Sequence, residues 1–266
     1  MKTILATTDF SNASRNAVSY AAETAIQTGA KLVLFTVSES YFVMPSLDDV
    51  KDHPLAELRK IADDLHGRFG HEIEIERECK FGLASDEIAL YAEENDVDLI
   101  VMGVKGAGPF VEKVLGSLAT TLIQKTHRPV LLVPQNSGFR TIKKIVFASD
   151  YKDNNTSEPE ILKDISSLWK SQVDIVHVFP AEDEMATAEE AVAGISLDRA
   201  FRNIRHSFHS VVNKDVIKGL NEYVDSHDAD MVVMSPRRHS FVELLFKEPH
   251  TKKMAFHSLV PLLIIH

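Results

Sequence analysis

Ile4-Leu5-Ala6-Thr7-Thr8-Asp9-Phe10 returns 141 residues later as Ile145-Val146-Phe147-Ala148-Ser149-Asp150-Tyr151, each position keeping its character and the aspartate its identity. Two more echoes follow in the same order. Asp98-Leu99-Ile100-Val101-Met102 returns as Asp230-Met231-Val232-Val233-Met234, and Pro129-Val130-Leu131-Leu132-Val133 as Pro261-Leu262-Leu263-Ile264-Ile265, both at an offset of 132. Three ordered echoes mark an internal duplication, and a period this long is a whole domain rather than a solenoid unit. The polar, turn-rich Gln135-Asn136-Ser137-Gly138 is the join. The expected domains are therefore 1–136 and 141–266.

Around these anchors, short apolar runs alternate with segments of helical period. Lys2–Thr8 and Lys31–Val37 read as buried strands, and the intervening Ser11–Thr28 carries Ala17, Val18, Ala21 and Ala25 on one helical face before Gly29. Leu55, Leu58, Ile61, Leu65 and Phe69 predict a second helix starting near Pro54. Strict alternation in Glu72-Ile73-Glu74-Ile75-Glu76 predicts a half-exposed third strand. A helix over about 85–95, a strand at Asp98–Met102, a helix over Ser117–Thr126 and a strand at Val130–Val133 complete the half. The second half repeats the order, with strands at Lys144–Ser149, Val173–Val178 and His206–Val212, a helix within 181–204 and another at Val216–Asp225. Alternation of this kind predicts two tandem α/β domains, each a doubly wound parallel sheet.

The formal charge of −10 and pI near 5.6 lack the excess Lys and Arg that give sequence-independent affinity for phosphate backbones, so a general nucleic-acid binder is not expected. No apolar stretch reaches the roughly 18 residues of a membrane span. The first residues lack the pattern of a secretory signal, and a single cysteine, Cys79, closes no intrachain disulfide, so a reducing cytoplasm is the expected compartment.

Directly after the fourth strand comes Gly103-Val104-Lys105-Gly106-Ala107-Gly108-Pro109-Phe110-Val111-Glu112-Lys113-Val114-Leu115-Gly116-Ser117. Glycine admits positive φ and close ligand approach, and the uncapped amides of a helix starting at Ser117 form an anion-accepting end. Neither GxxxxGK[ST] nor GxGxxG is present. Taken alone the stretch reads equally as a plain glycine-rich surface loop, and Asp9 also reads as an acid at the start of the Ser11–Thr28 helix.

The spacing Gly103-x2-Gly106-x9-Gly116-Ser117, with the opening strand and its Asp9, resembles the nucleotide-binding signature of the universal stress protein family. The resemblance spans the chain as a tandem pair and is specific in residues 1–134. It implies five-stranded sheets of order 3-2-1-4-5 and an ATP or AMP site, with magnesium accompanying ATP. It also implies the roles and the residues: Asp9 holds the ribose hydroxyls, the backbone at Val37 faces adenine, and the loop and helix start hold the phosphates, the carried-over positions being Asp9, Val37, Met102, Gly103, Gly106, Gly116, Ser117 and the amide of Leu118. Ligands of doubly wound sheets bind beyond the carboxyl ends of strands where the order reverses, which is where this order sets Asp9 and Gly103.

The copy departs from the pattern. Asp150 is kept, but Ser235-Pro236-Arg237-Arg238-His239 replaces Gly103–Ala107 and Lys247-Glu248-Pro249 stands where Gly116-Ser117 would fall, so a backbone phosphate nest is not expected there. Arg237 and Arg238 read either as anion-binding side chains or as a solvated basic turn. Tyr41, Phe42, Met44 and Pro45 after the second strand read as an adenine lid, a packed loop or a partner surface, and Lys105 stands near the phosphate loop. Arg199, Arg202 and Arg205 read as an exposed helical face. The histidines show no metal-ligand spacing, and no Ser/His/Asp arrangement is identifiable. The resulting expectation is a cytoplasmic stress-response regulator that binds ATP or AMP in its first domain, with a structural or regulatory second domain and at most slow ATP hydrolysis. The alternative is a nucleotide-independent scaffold. Val130–Val133 and Leu262–Ile265, last in their domains, are the expected edges for pseudo-dimer pairing within the chain or for a homo-oligomer.

Overall fold

The computed structural model describes residues 1–38, 47–70, 72–104, 117–149, 160–179, 188–235 and 260–265, with backbone alone at 47–52 and 188–193. These residues form two compact units, one comprising 1–104 and 117–139 and the other starting at Arg140.

In the first unit the order is β1 (Thr3–Thr7), α1 (Asn12–Thr28), β2 (Lys31–Ser38), α2 (Leu47–Phe69), β3 (Ile75–Phe81), α3 (Ala84–Glu94), β4 (Leu99–Val104), α4 (Ser117–Lys125) and β5 (Val130–Pro134). All strands are parallel, in the order β3-β2-β1-β4-β5. Ile4, Leu5, Leu32, Leu34, Ile100 and Val101 are buried, as expected of strands covered on both faces. Right-handed crossovers place α1 and α2 on one face, and the reversal after β3 sends α3 and α4 to the other, where they pack together. Ser11 caps α1, its hydroxyl accepting from the Ser14 amide at 3.3 Å, and Gly29 ends it in the left-handed conformation at φ 68°.

The second unit runs β6 (Lys144–Ala148), α5 (Glu160–Trp169), β7 (Gln172–Phe179), α6 (Ala188–Ala200), β8 (His206–Val212), α7 (Val216–Ser226), β9 (Met231–Met234) and β10 (Leu262–Ile264). Its parallel sheet has the order β8-β7-β6-β9-β10, which is 3-2-1-4-5 again. The duplication extends to single hydrogen bonds. Asp98 Oδ2 accepts from the amides of Lys2 and Thr3 at 2.5 and 2.9 Å, and Asp230 Oδ2 accepts from those of Lys143 and Lys144 at 2.8 and 2.9 Å. In each unit, a carboxylate just before the fourth strand binds the two amides that lead into the first.

Three elements differ from the sequence expectation. α2 begins at Leu47, so Pro54 lies inside it rather than near its start. The missing proline N–H leaves the Val50 carbonyl without its helical donor, yet the apolar spacing Leu47, Val50, Pro54, Leu58 continues across it. β3 starts at Ile75, so only Ile75 and Glu76 of the alternating stretch belong to it. The ladder runs from Leu32↔Ile75 to Ser38↔Phe81 and is set by the extent of β2, while Ile73 is buried ahead of it. Of the three arginines, Arg199 alone lies in α6; Arg202 and Arg205 follow in the turn before β8, and all three are exposed.

Candidate functional site

The order β2-β1-β4 brings the carboxyl ends of three strands side by side, with the reversal of winding between β1 and β4. Asp9 follows β1 by two residues, Val37 is the penultimate residue of β2, and Met102 and Gly103 lie near the end of β4. Met102 is buried, Val37 and Gly103 are half-buried, and Asp9 is exposed. Ser117 and Leu118, both exposed, open α4, whose first-turn amides have no acceptor within the helix. Gly106 and Gly116 lie outside the described residues, as do Lys105, Asp150, Tyr41, Phe42, Met44, Pro45, Arg237, Arg238 and the Lys247–Pro249 stretch.

Side chains tie the strand ends together. The Thr8 amide donates to Phe35 O at 2.8 Å, and Thr36 Oγ1 donates to Thr8 O at 2.8 Å, linking the ends of β1 and β2. Thr7 Oγ1 reaches Val101 O at 3.4 Å across to β4. The chain then turns sharply: Phe10 has φ 65°, its amide donates to Thr8 Oγ1 at 3.0 Å, and the Ser11 amide donates to Asp9 Oδ1 at 3.0 Å. Ser11 is the cap of α1, so Asp9 is not the N-cap and instead holds the turn. Partial burial alone would raise the Asp9 pKa, but hydrogen bonds from the Ser11 and Ser14 side chains and the Ser11 amide outweigh it and hold the carboxyl below its ordinary value. Asp9 is therefore an ionised acceptor at neutral pH.

Gly103 answers a packing demand that loop reasoning did not anticipate. A Cβ at this position would stand 2.3 Å from Ala13 O and 2.7 Å from the Ser14 amide nitrogen. β4 thus presses against the first turn of α1, and the missing side chain lets the two segments approach. In the second unit Ser235 takes the place of Gly103, and His177 takes the place of Thr36: its Nδ1–H donates to Ser149 O at 2.7 Å. The same strand-end carbonyl is held in both units, by a hydroxyl in one and a buried imidazole in the other.

The second unit also contains a polar cluster that the sequence did not reveal. Asp174, buried in β7 at 5% exposure, accepts from Ser207 Oγ at 3.1 Å and Tyr223 OH at 3.2 Å. Ser207 Oγ in turn lies 2.9 Å from His209 Nε2. Asp174 Oδ1 also approaches that same Nε2, at 3.6 Å, so the carboxylate does not orient the imidazole from its other nitrogen as a nucleophile-activating triad requires. Burial foremost, then the Asp174 charge and hydrogen bond, push the Tyr223 phenol well above its ordinary pKa. A signal was present in the sequence, an aspartate inside an otherwise apolar strand, but the serine and tyrosine that donate to it lie 33 and 49 residues away. Among the described residues no group of three or more His, Cys, Asp or Glu is placed to hold a metal ion, and no helix is long and apolar enough to cross a membrane.

Known proteins share this architecture. The chain is similar to a universal stress protein of Methanocaldococcus jannaschii, with 31% identity over 144 residues that make up 50% of this chain and 81% of the relative. It is similar to one of Synechocystis, with 34% identity over 140 residues that cover 50% of this chain and 85% of the relative. A solved universal stress protein from Archaeoglobus fulgidus superposes with a TM-score of 0.74 over 99% of this chain and 97% of its own at 18% identity, a likeness of fold through both halves. Residues 1–134 match the sequence profile of the universal stress protein family, and with half the chain so matched, the protein belongs to that family.

Proposed function

We propose that the first unit binds an adenine nucleotide, ATP or AMP, at the carboxyl ends of β1, β2 and β4, and that the chain acts as a cytoplasmic stress-response regulator rather than as an enzyme. The observation that carries this reading is Asp9: an ionised carboxylate, fixed by its own turn, at the reversal point of a doubly wound sheet in a member of this family. A carboxylate there accepts hydrogen bonds from a pair of vicinal ribose hydroxyls, which charge-assisted bonds favour over a lone hydroxyl. Val37 and Met102 offer apolar contact for a base. The first-turn amides of α4, at Ser117 and Leu118, suit phosphate oxygens, with Gly106 and Gly116 completing the loop. Where the ligand is ATP, magnesium would supply charge neutralisation on the phosphates. The chain's own contribution is to bind and orient, with hydrolysis slow at most.

The second unit, with Ser235 for Gly103 and His177 for Thr36, serves in this reading as a structural or regulatory partner. The test is titration calorimetry of the intact chain with ATP, AMP and GTP, with mass spectrometry of any ligand released from freshly purified protein. Adenine nucleotide binding that Asp9→Ala abolishes is expected. A protein that is purified empty and binds no nucleotide would instead support the scaffold reading.

A further inference from the structure

Ser14, in the first turn of α1, touches three segments around the crevice at once, and it is buried at 6% exposure. Its Oγ lies 3.0 Å from Thr8 Oγ1 past the end of β1, accepts from Ser11 Oγ at 3.4 Å and lies 3.0 Å from Ser11 O. The Phe10 amide already donates to Thr8 Oγ1 at 3.0 Å, which suits the Thr8 hydroxyl as the donor to Ser14 and leaves the Ser14 proton for an acceptor in the turn. On the other side of the residue the amide nitrogen abuts Gly103 of β4, where a Cβ would come within 2.7 Å of it. The end of β1, the turn that carries Asp9, and β4 thus converge on one buried hydroxyl-bearing residue, held in place before any ligand arrives.

Asp9 itself is exposed, its Oδ1 accepting from the Ser11 amide at 3.0 Å. The Ser11 and Ser14 side chains add to that bond and favour the charged carboxylate. Arg15, the cation of the same helical turn, directs its Nε to Phe10 O at 3.1 Å. An exposed carboxylate on a single bond would rotate, and a ligand would bear the entropy of fixing it, whereas one held by a buried neighbour is ready beforehand. The duplication separates this role from a demand of the fold. At the offset of 141 that sets Asp150 against Asp9, the sequence has Lys152 for Ser11 and Asn155 for Ser14, yet the second unit builds the same strand order. The serines go where Gly103 goes, and the sheet does without them. We propose, in a step that rests on the adenine-nucleotide reading above, that Ser14 is a positioning residue of that site: its hydroxyl fixes the Asp9 carboxylate for a pair of ribose hydroxyls without itself touching the ligand.

The experiment is calorimetry of the full chain as wild type, Ser14→Ala and Ser14→Thr, with ATP and with dideoxy-ATP, which lacks both ribose hydroxyls, alongside a carbon NMR titration of the Asp9 carboxyl in the ligand-free proteins. Alanine is the better helix former and Thr8 Oγ1 keeps the Phe10 amide, so Ser14→Ala should retain the wild-type circular dichroism. Its Kd for ATP should rise at least about tenfold while that for dideoxy-ATP stays as in wild type. The midpoint of the Asp9 titration should move up, because a donor to the charged form is lost. Ser14→Thr, which keeps the hydroxyl, should restore both. With ATP binding intact in the wild type, three results overturn the proposal: equal weakening of both ligands in Ser14→Ala, ATP affinity unchanged in that variant, or an Asp9 midpoint that does not move. A wild type that binds neither ligand overturns the nucleotide reading itself, and the role of Ser14 with it.

Discussion

Gly103 lies so close to Ala13 that a Cβ on the glycine would stand 2.3 Å from the Ala13 carbonyl oxygen. The contact is backbone against backbone, so no side chain can rotate away to relieve it. Gly103→Ala is expected to destabilise the first unit by about 1–3 kcal/mol through overpacking and to weaken nucleotide binding by displacing the first turn of α1 from β4. Denaturant unfolding that matched wild type would show that β4 and α1 can part without cost.

Asp9→Asn keeps an acceptor for the Ser11 amide but removes the charge. A hydrogen bond to a charged group contributes about 1.5–3 kcal/mol, so the affinity for ATP or AMP should fall by roughly tenfold to a hundredfold. Because the folded pKa of Asp9 is held below its ordinary value, its contribution to stability is complete above the unfolded pKa and is lost as pH falls through the folded one. Asp9 should therefore leave affinity flat between pH 6 and 8 and reduce it in the acid range below about pH 4. Calorimetry across that range checks the profile, and an affinity unchanged in Asp9→Asn would remove this carboxylate from the site.

The registers Thr3↔Lys31 and Lys144↔Gln172 align Val33 with Asp174, so a core valine of the first unit is a buried carboxylate in the second. Tyr223→Phe takes one of the donors from Asp174 and should destabilise the chain by about 1–3 kcal/mol. Asp174→Val combined with Tyr223→Phe removes both ends of that bond and should cost less than the sum of the two single changes. Chemical denaturation of the four proteins forms the cycle, and strict additivity would mean that the pair does not interact.

The same pair shapes the alkaline limit. Since the folded Tyr223 pKa is raised, its contribution is complete below the unfolded value near 10 and is lost as pH rises above it. In Tyr223→Phe the decline of stability above about pH 10 should be shallower, as thermal melts between pH 8 and 11 would record.

One adenine nucleotide is expected per chain. Ser235 brings a Cβ to the position where Gly103 has none. Calorimetric titration giving two equivalent sites would restore a nucleotide site to the second unit.

The duplication, the strand-helix order and the buried strands were legible in the sequence, because parallel strands covered on both faces must be apolar throughout, and Ile4–Ala6 and Ile145–Phe147 announce that without any partner. Asp9 and Gly103 were legible as neighbours because one stands just past β1 and the other near the end of β4, and the strand order then sets both at one edge. The start of β3 was not, since an outer strand takes its bounds from the strand beside it: β2 decided that the ladder starts at Ile75. Nor was the reason for Gly103, which depends on the depth at which α1 settles on β4. The Asp174–Ser207 contact likewise arises only because the β7–β8 register sets those two residues side by side. Local periodicity determines which segments become strands and helices. Register and helix depth come from contacts between residues far apart in sequence, and these only the tertiary structure decided.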